Sequence, residues 1–341
     1  IVDDSDRYYR GEFKDAMEKF ALCIKEAGLK PEEKKRYINY LFNKYLEKDP
    51  DYFQENYMHA LEEICTSKED LEHWRKLLKP HLPKTLPDRE RYWSEYYDAK
   101  ELLMMQAFIL DRLGKKKELY ALLQKYYRED KDFCLLYAKR LERDGKIDQA
   151  VEVAEEGLRL FPAHLTSDIR RFLNKFYETL SPEKYRENLK NLFFQETDWS
   201  YYRKLKESSS REEWDRQLQE IITHFTNEEF RSVLIDIYLE EGMHDKALKE
   251  ALSANSLATL SAYHEELAPR YPKEYFQKYK ELLIPFADSK TGRSHYKHIV
   301  LYLKKMKNIK GFENEFRDFV EMLKIRYSNR PAFQEEIRKL T

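Results

Sequence analysis

Residues 134–162 read CLLYAKRLERDGKIDQAVEVAEEGLRLFP. Two amphipathic segments flank Gly145, with Ala150, Ala154 and Gly157 five, nine and twelve positions after it and Pro162 closing the unit. Glycine permits a sharp turn, small residues let the second segment approach a partner closely, and proline stops it. This pattern predicts an antiparallel helix pair built to stack, because one such pair alone leaves its apolar face in water.

The same offsets recur after Gly11 (Ala16, Phe20, Cys23), Gly114 (Leu119, Leu123, Tyr126) and Gly242 (Ala247, Ala251, Ala254). Gly145 follows Gly114 by 31 residues, and the wider gaps of 103 (Gly11 to Gly114) and 97 (Gly145 to Gly242) are each near three repeats of ~34 residues. Through Ala138, Leu141, Gly145, Ala150, Ala154, Gly157 and Pro162 the opening stretch resembles the tetratricopeptide repeat. The expected fold is therefore all-α: an α-solenoid of antiparallel, tetratricopeptide-like pairs, with about twenty helices in a right-handed superhelix. It is read as one continuous domain over 1–341, packed at Gly114, Gly145, Ala150, Ala154, Gly157, Pro162, Gly242, Ala247 and Ala251.

Composition agrees. Only 8 Gly and 11 Pro among 341 residues, with 37% charged residues, leave little material for hairpins. A net charge of -1 argues against a globally basic nucleic-acid binder. Cys23, Cys65 and Cys134 form no CxxC and read as reduced core residues of a cytoplasmic protein. The most apolar stretch, 102–110, is interrupted by Gln106 and too short to span a membrane; its all-round apolarity predicts a helix sandwiched between neighbours. The opening IVDDSD lacks a methionine, and a fragment of a longer protein is expected.

Along the chain, Gly11 is expected to head a helix over 12–27 with Ala16 and Cys23 on its core face, and further helices are expected at 31–48, 52–65 and 68–79. Asp49-Pro50-Asp51 reads as a break. The proline-dense stretch 80–88 reads as a loop, with a domain sub-boundary as the alternative. Ser67 with Asp70, Ser210 with Glu213, and Thr226 with Glu229 have capping spacing; the last pair predicts a helix start at Asn227. Later helices are expected at 166–180, 182–196, 198–207, 256–268, 272–287, 293–307, 312–327 and 331–340.

At longer range, Asp198, Trp199, Tyr202, Leu205 and Lys206, the run from Arg293 through Tyr296 to Lys304, and the terminal Arg330 to Phe333 resemble the helical C-terminal region of prokaryotic SWIM-type zinc-finger proteins. That family's CxC and CxH zinc motif is absent from this chain, so the resemblance implies a finger outside it.

No Gly-rich phosphate loop, GxSxG elbow or HExxH is present, and neither catalysis nor a cofactor is expected. His295 and His298 share a helix face but lack further ligands nearby, so no metal site is expected. Carboxylate pairs such as Glu240 with Glu241 and Glu265 with Glu266 read as solvated. Charge is more informative: residues 207–270 carry 14 acidic against 6 basic side chains, net -8, and residues 289–330 carry 11 basic against 4 acidic, net +7. The expectation is a non-catalytic scaffold holding a peptide or protein partner on a concave face, with Lys304, Lys305, Lys307, Lys310, Arg317 and Arg326 as partner contacts. The alternative is a nucleic-acid-associated module acting through the same basic block or with the missing finger. A spacer or self-assembly arm is the purely structural reading.

Overall fold

The computed structural model describes residues 8–48 and 53–340, and among these every regular element is helical, with no strand. The chain divides into two compact units, Ile1–Asn188 and Leu189–Thr341. The first holds α1 (Tyr8–Glu26), α2 (Pro31–Glu47), α3 (Gln54–Ile64), α4 (Lys68–Leu78), α5 (Trp93–Arg112), α6 (Lys116–Tyr126), α7 (Lys131–Arg143), α8 (Ile147–Leu160) and α9 (Ser167–Leu180). The division falls inside α10 (Pro182–Glu196). The second unit continues with α11 (Trp199–Glu207), α12 (Arg211–Asn227), α13 (Arg231–Glu240), α14 (His244–Ser253), α15 (Leu257–Ala262), α16 (His264–Leu267), α17 (Pro272–Ser289), α18 (Arg293–Lys307), α19 (Glu313–Arg326) and α20 (Pro331–Ile337).

The turn glycines explain why the helices stop where they do. Gly145 sits at φ 75°, its amide donates to the Glu142 carbonyl at 3.0 Å, and the Lys146 amide reaches back to Leu141 at 2.9 Å. This is a Schellman end, which satisfies carbonyls the helix leaves open. Gly114 and Gly242 repeat it at φ 68° and 69°. Glu229 repeats it without glycine: at φ 58° it is followed by a 3.1 Å bond from the Phe230 amide to the Phe225 carbonyl. The expected helix start at Asn227 is thereby corrected. Asn227 ends α12, the Thr226 hydroxyl donates back to Ile222, and α13 begins at Arg231.

Gly11 is also corrected: it lies inside α1, with Ala16 and Cys23 exposed while Ala21 and Ile24 are buried. Only Cys65 and Cys134 are core cysteines. The helix expected over 256–268 divides at Tyr263 into α15 and α16. The break at Asp49-Pro50-Asp51 and the opening IVDDSD lie outside the described residues. The capping boxes at Ser67 and Ser210 are formed, each side chain accepting from the amide three residues on.

In the first unit, Ile38 and Phe42 of α2, Leu61 and Ile64 of α3, Trp74 of α4 and Ile109 of α5 belong to one buried cluster. Burying each such side chain contributes about 1.5–3 kcal/mol. The stretch 102–110 is buried or half-buried throughout, as its apolarity predicts. Residues 80–88 lie within this unit, where the Lys84 carbonyl accepts from Lys125 Nζ (2.5 Å) and the Tyr126 hydroxyl (3.2 Å). In the second unit Phe193, Trp199, Tyr202, Trp214 and Phe225 form an aromatic cluster with neighbouring centroids 5.0–5.6 Å apart.

Ala150, Ala154, Ala247 and Ala251 are buried, and Gly157 lies directly against Cys134 of α7 and Ile169 of α9. Pro162 follows the end of α8 in extended conformation. Polar links also join side chains about one repeat apart: His73 with Asn39 (34 residues), the Tyr96 hydroxyl with Asp130 (34) and Lys34 with Asp70 (36).

Candidate functional site

The basic block separates into two groups. Lys305 Nζ donates to the Ser261 carbonyl at 2.5 Å, and Lys307 Nζ to the Leu340 carbonyl at 2.7 Å. Arg326 pairs with Asp288 at 2.8 Å, and the Tyr327 hydroxyl donates to the other oxygen of that carboxylate, also at 2.8 Å. These three side chains tie the second unit together. Lys304, Lys310 and Arg317 are exposed and make no hydrogen bond or ion pair among the described residues.

A concavity that sequence reasoning missed lies in the first unit. Met58 and Glu62 of α3, Met104, Ala107, Phe108 and Asp111 of α5, Leu119 and Leu123 of α6, and Leu136, Lys139, Arg140 and Arg143 of α7 enclose about 460 Å³. Each helix contributes residues one turn apart, so one face of α5 and one of α7 line its walls. Phe108 is backed by Trp74, with ring centroids 6.0 Å apart, and its own ring is covered by the Arg112 guanidinium at 5.6 Å. Two thioethers beside a ring give an apolar surface that adapts to differently shaped ligands.

One end of the groove is ionic. The buried Arg140 pairs with Asp111 and reaches Asp144 at 3.4 Å, while Arg143 pairs with Asp111 at 2.8 Å. Asp111 is thereby occupied on both oxygens. Lys139 is exposed and unpaired among the described residues. Burial pushes the Glu62 carboxyl above the usual carboxylate range, against the pull of His59 and Arg112.

One of the acidic residues is built into the packing of the second unit. Glu241, expected to be solvated, is 10% exposed and accepts from Lys206 Nζ (2.7 Å), the Tyr202 hydroxyl (2.8 Å) and Trp214 Nε1 (3.2 Å). Burial opposes its ionisation, but the three donors outweigh burial and hold its carboxyl below the usual range. Glu265 and Glu266 are exposed. His295 shares a 2.8 Å hydrogen bond with the Phe286 carbonyl, whereas His298 faces solvent. Among the described residues no three metal-capable side chains cluster, and no helix is long and apolar enough to cross a membrane.

No protein-family model matches the chain, and no curated protein matches it.

Proposed function

We propose that the protein is a non-catalytic interaction scaffold whose first unit holds a peptide in the groove between α3, α5 and α7. The observation that carries this reading is which helices line the cavity. All but Leu119 and Leu123 of the lining residues come from the alternate helices α3, α5 and α7, of which α5 packs on α6 and α7 on α8. In a stack of antiparallel pairs the first helices face one side and form the inner surface of a right-handed α-solenoid. The Schellman turns and the polar links one repeat apart support that arrangement within the unit. The resemblance to the helical region of SWIM-type zinc-finger proteins is compatible with a scaffold working beside another module.

The occupant this groove fits is a short peptide with an apolar anchor and an adjacent carboxylate. Met58, Met104, Phe108 and Leu136 accept the anchor, and Lys139 is the free charge beside them. The helices already hold these side chains, so binding orders little protein. A display selection of random peptides on the full chain, repeated with Leu136→Glu, tests the reading. Enriched peptides should combine an apolar side chain with a neighbouring acid and lose at least about tenfold in affinity on the variant, or about 1.4 kcal/mol. A selection without enrichment, or peptides indifferent to Leu136→Glu, contradicts it.

A further inference from the structure

α18 differs from the other helices of the second unit in charge. It carries Arg293, Lys297, Lys304, Lys305 and Lys307 and no acidic residue. Its inner side is ordinary core, with Tyr296, Ile299, Val300, Leu303 and Met306 buried. Three of its cations are engaged within the unit: Arg293 with Glu335 and Glu336, and Lys305 and Lys307 with backbone carbonyls. Lys297 and Lys304 are exposed and make no hydrogen bond or ion pair among the described residues. Between them stands Leu301, 57% exposed.

The positions 297, 301 and 304 follow one another at four and three residues, which places them along one solvent face, and exposed Ser294 and His298 lie beside them. Lysines in a last helical turn offset the helix dipole, which accounts for Lys304. The dipole does not account for Lys297, near the helix start, or for a leucine held in water between two cations. The field of Lys297 reaches the buried Glu336, yet Lys339 is that carboxylate's hydrogen-bond donor at 2.6 Å. The lysine's own head remains free.

We infer that this face of α18 is a docking surface for an acidic amphipathic helix, whose apolar ridge covers Leu301 while carboxylates on either side meet Lys297 and Lys304. Charge complementarity selects an acidic partner, and Leu301 selects among acidic partners. A polynucleotide gains nothing from an exposed aliphatic side chain, and the stripe offers no exposed tyrosine for base stacking, Tyr296 being buried and Tyr302 half-buried, which leaves the His298 imidazole as the one exposed ring beside it. The surface uses only residues of the second unit.

The test is fluorescence anisotropy of the full chain with a synthetic helical probe bearing a leucine stripe flanked by glutamates. A matched probe has glutamine at those positions. The glutamate probe should bind and weaken with added salt. The glutamine probe should bind about tenfold less well, and Lys297→Glu/Lys304→Glu and, separately, Leu301→Ser should each cost about tenfold for the glutamate probe. All three positions are exposed, so circular dichroism should show unchanged helix content. Lys139→Glu, in the first unit, should leave this binding unchanged while altering that of groove peptides. The inference is overturned by absence of binding at low salt, by equal affinity for both probes, or by indifference to the α18 variants. Tighter binding of single-stranded RNA that needs the lysines but not Leu301 overturns it in favour of a polyanion site.

Discussion

Gly157 and Cys134 approach so closely that a Cβ on the glycine would stand 2.6 Å from the cysteine Sγ and 3.0 Å from Ile169 Cδ1. The thiol is itself held, donating to the Val153 carbonyl at 3.4 Å, and burial pushes its pKa up to about 12, so it is a packing group. Gly157→Ala should therefore destabilise the first unit by about 1–3 kcal/mol, the range for overpacking. Adding Cys134→Ala should recover part of that loss, because it removes the atom in the way. Urea unfolding of the single and double variants checks this; strictly additive losses would show that the contact is not the cause.

Positive φ is the second point of test. Gly145 at φ 75° has nothing within 4 Å of a built Cβ, so Gly145→Ala should lose about 1–2 kcal/mol from backbone strain alone. Glu229 carries the same strain already at φ 58°. Glu229→Gly should gain about 0.5–1 kcal/mol, since relief of the left-handed cost exceeds the added chain entropy. Thermal melts decide it, and a loss of stability on Glu229→Gly would falsify the assignment of that turn.

These two turns also show what could be read from the chain and what could not. Gly114, Gly145 and Gly242 announce their turns because glycine is the cheap residue at positive φ. Lys48, Thr197 and Glu229 make the same excursion with side chains that carry no such signal, whereas Asn255 is of a type that adopts it more readily. Helix ends there were legible only where a capping box or proline stood nearby, and Thr226 with Glu229 had capping spacing at a helix C-terminus. Gly11 misled in the opposite direction, since a glycine near a helix start is tolerated within it. The groove was illegible for another reason. Met58, Phe108 and Leu136 lie on three helices at ordinary core spacing, and only packing leaves their shared face open. Nor does sequence distinguish Lys305, turned to a backbone carbonyl, from its free neighbour Lys304.

That distinction can be measured. Lys305→Glu removes a donor from the half-buried link to Ser261 and should cost about 1 kcal/mol or more. Lys310→Glu and Arg317→Glu, at exposed unpaired positions, should stay within about 0.5 kcal/mol of the parent. Equal losses across the three would contradict the division of the basic block.

Acid stability should depend on Glu241. Its folded pKa lies below the ordinary glutamate value of 4.5, so the stabilisation is fully present above that pH and is lost as pH falls through the depressed value. Trp214 donates to the same carboxylate and reports the event by fluorescence. Glu241→Gln should be less stable at neutral pH, and its stability should fall less steeply below pH 4.5 than that of the parent. Parallel acid profiles would remove Glu241 from the explanation.

Occupancy of the groove is read most directly at its two thioethers. With methionine methyl groups labelled, peptides taken from the display selection should shift the Met58 and Met104 signals during titration, while Met306, buried in the second unit, stays in place. Saturable shifts at Met58 and Met104 that vanish in Leu136→Glu are the predicted result. Peptide binding that leaves both signals unmoved would contradict the account.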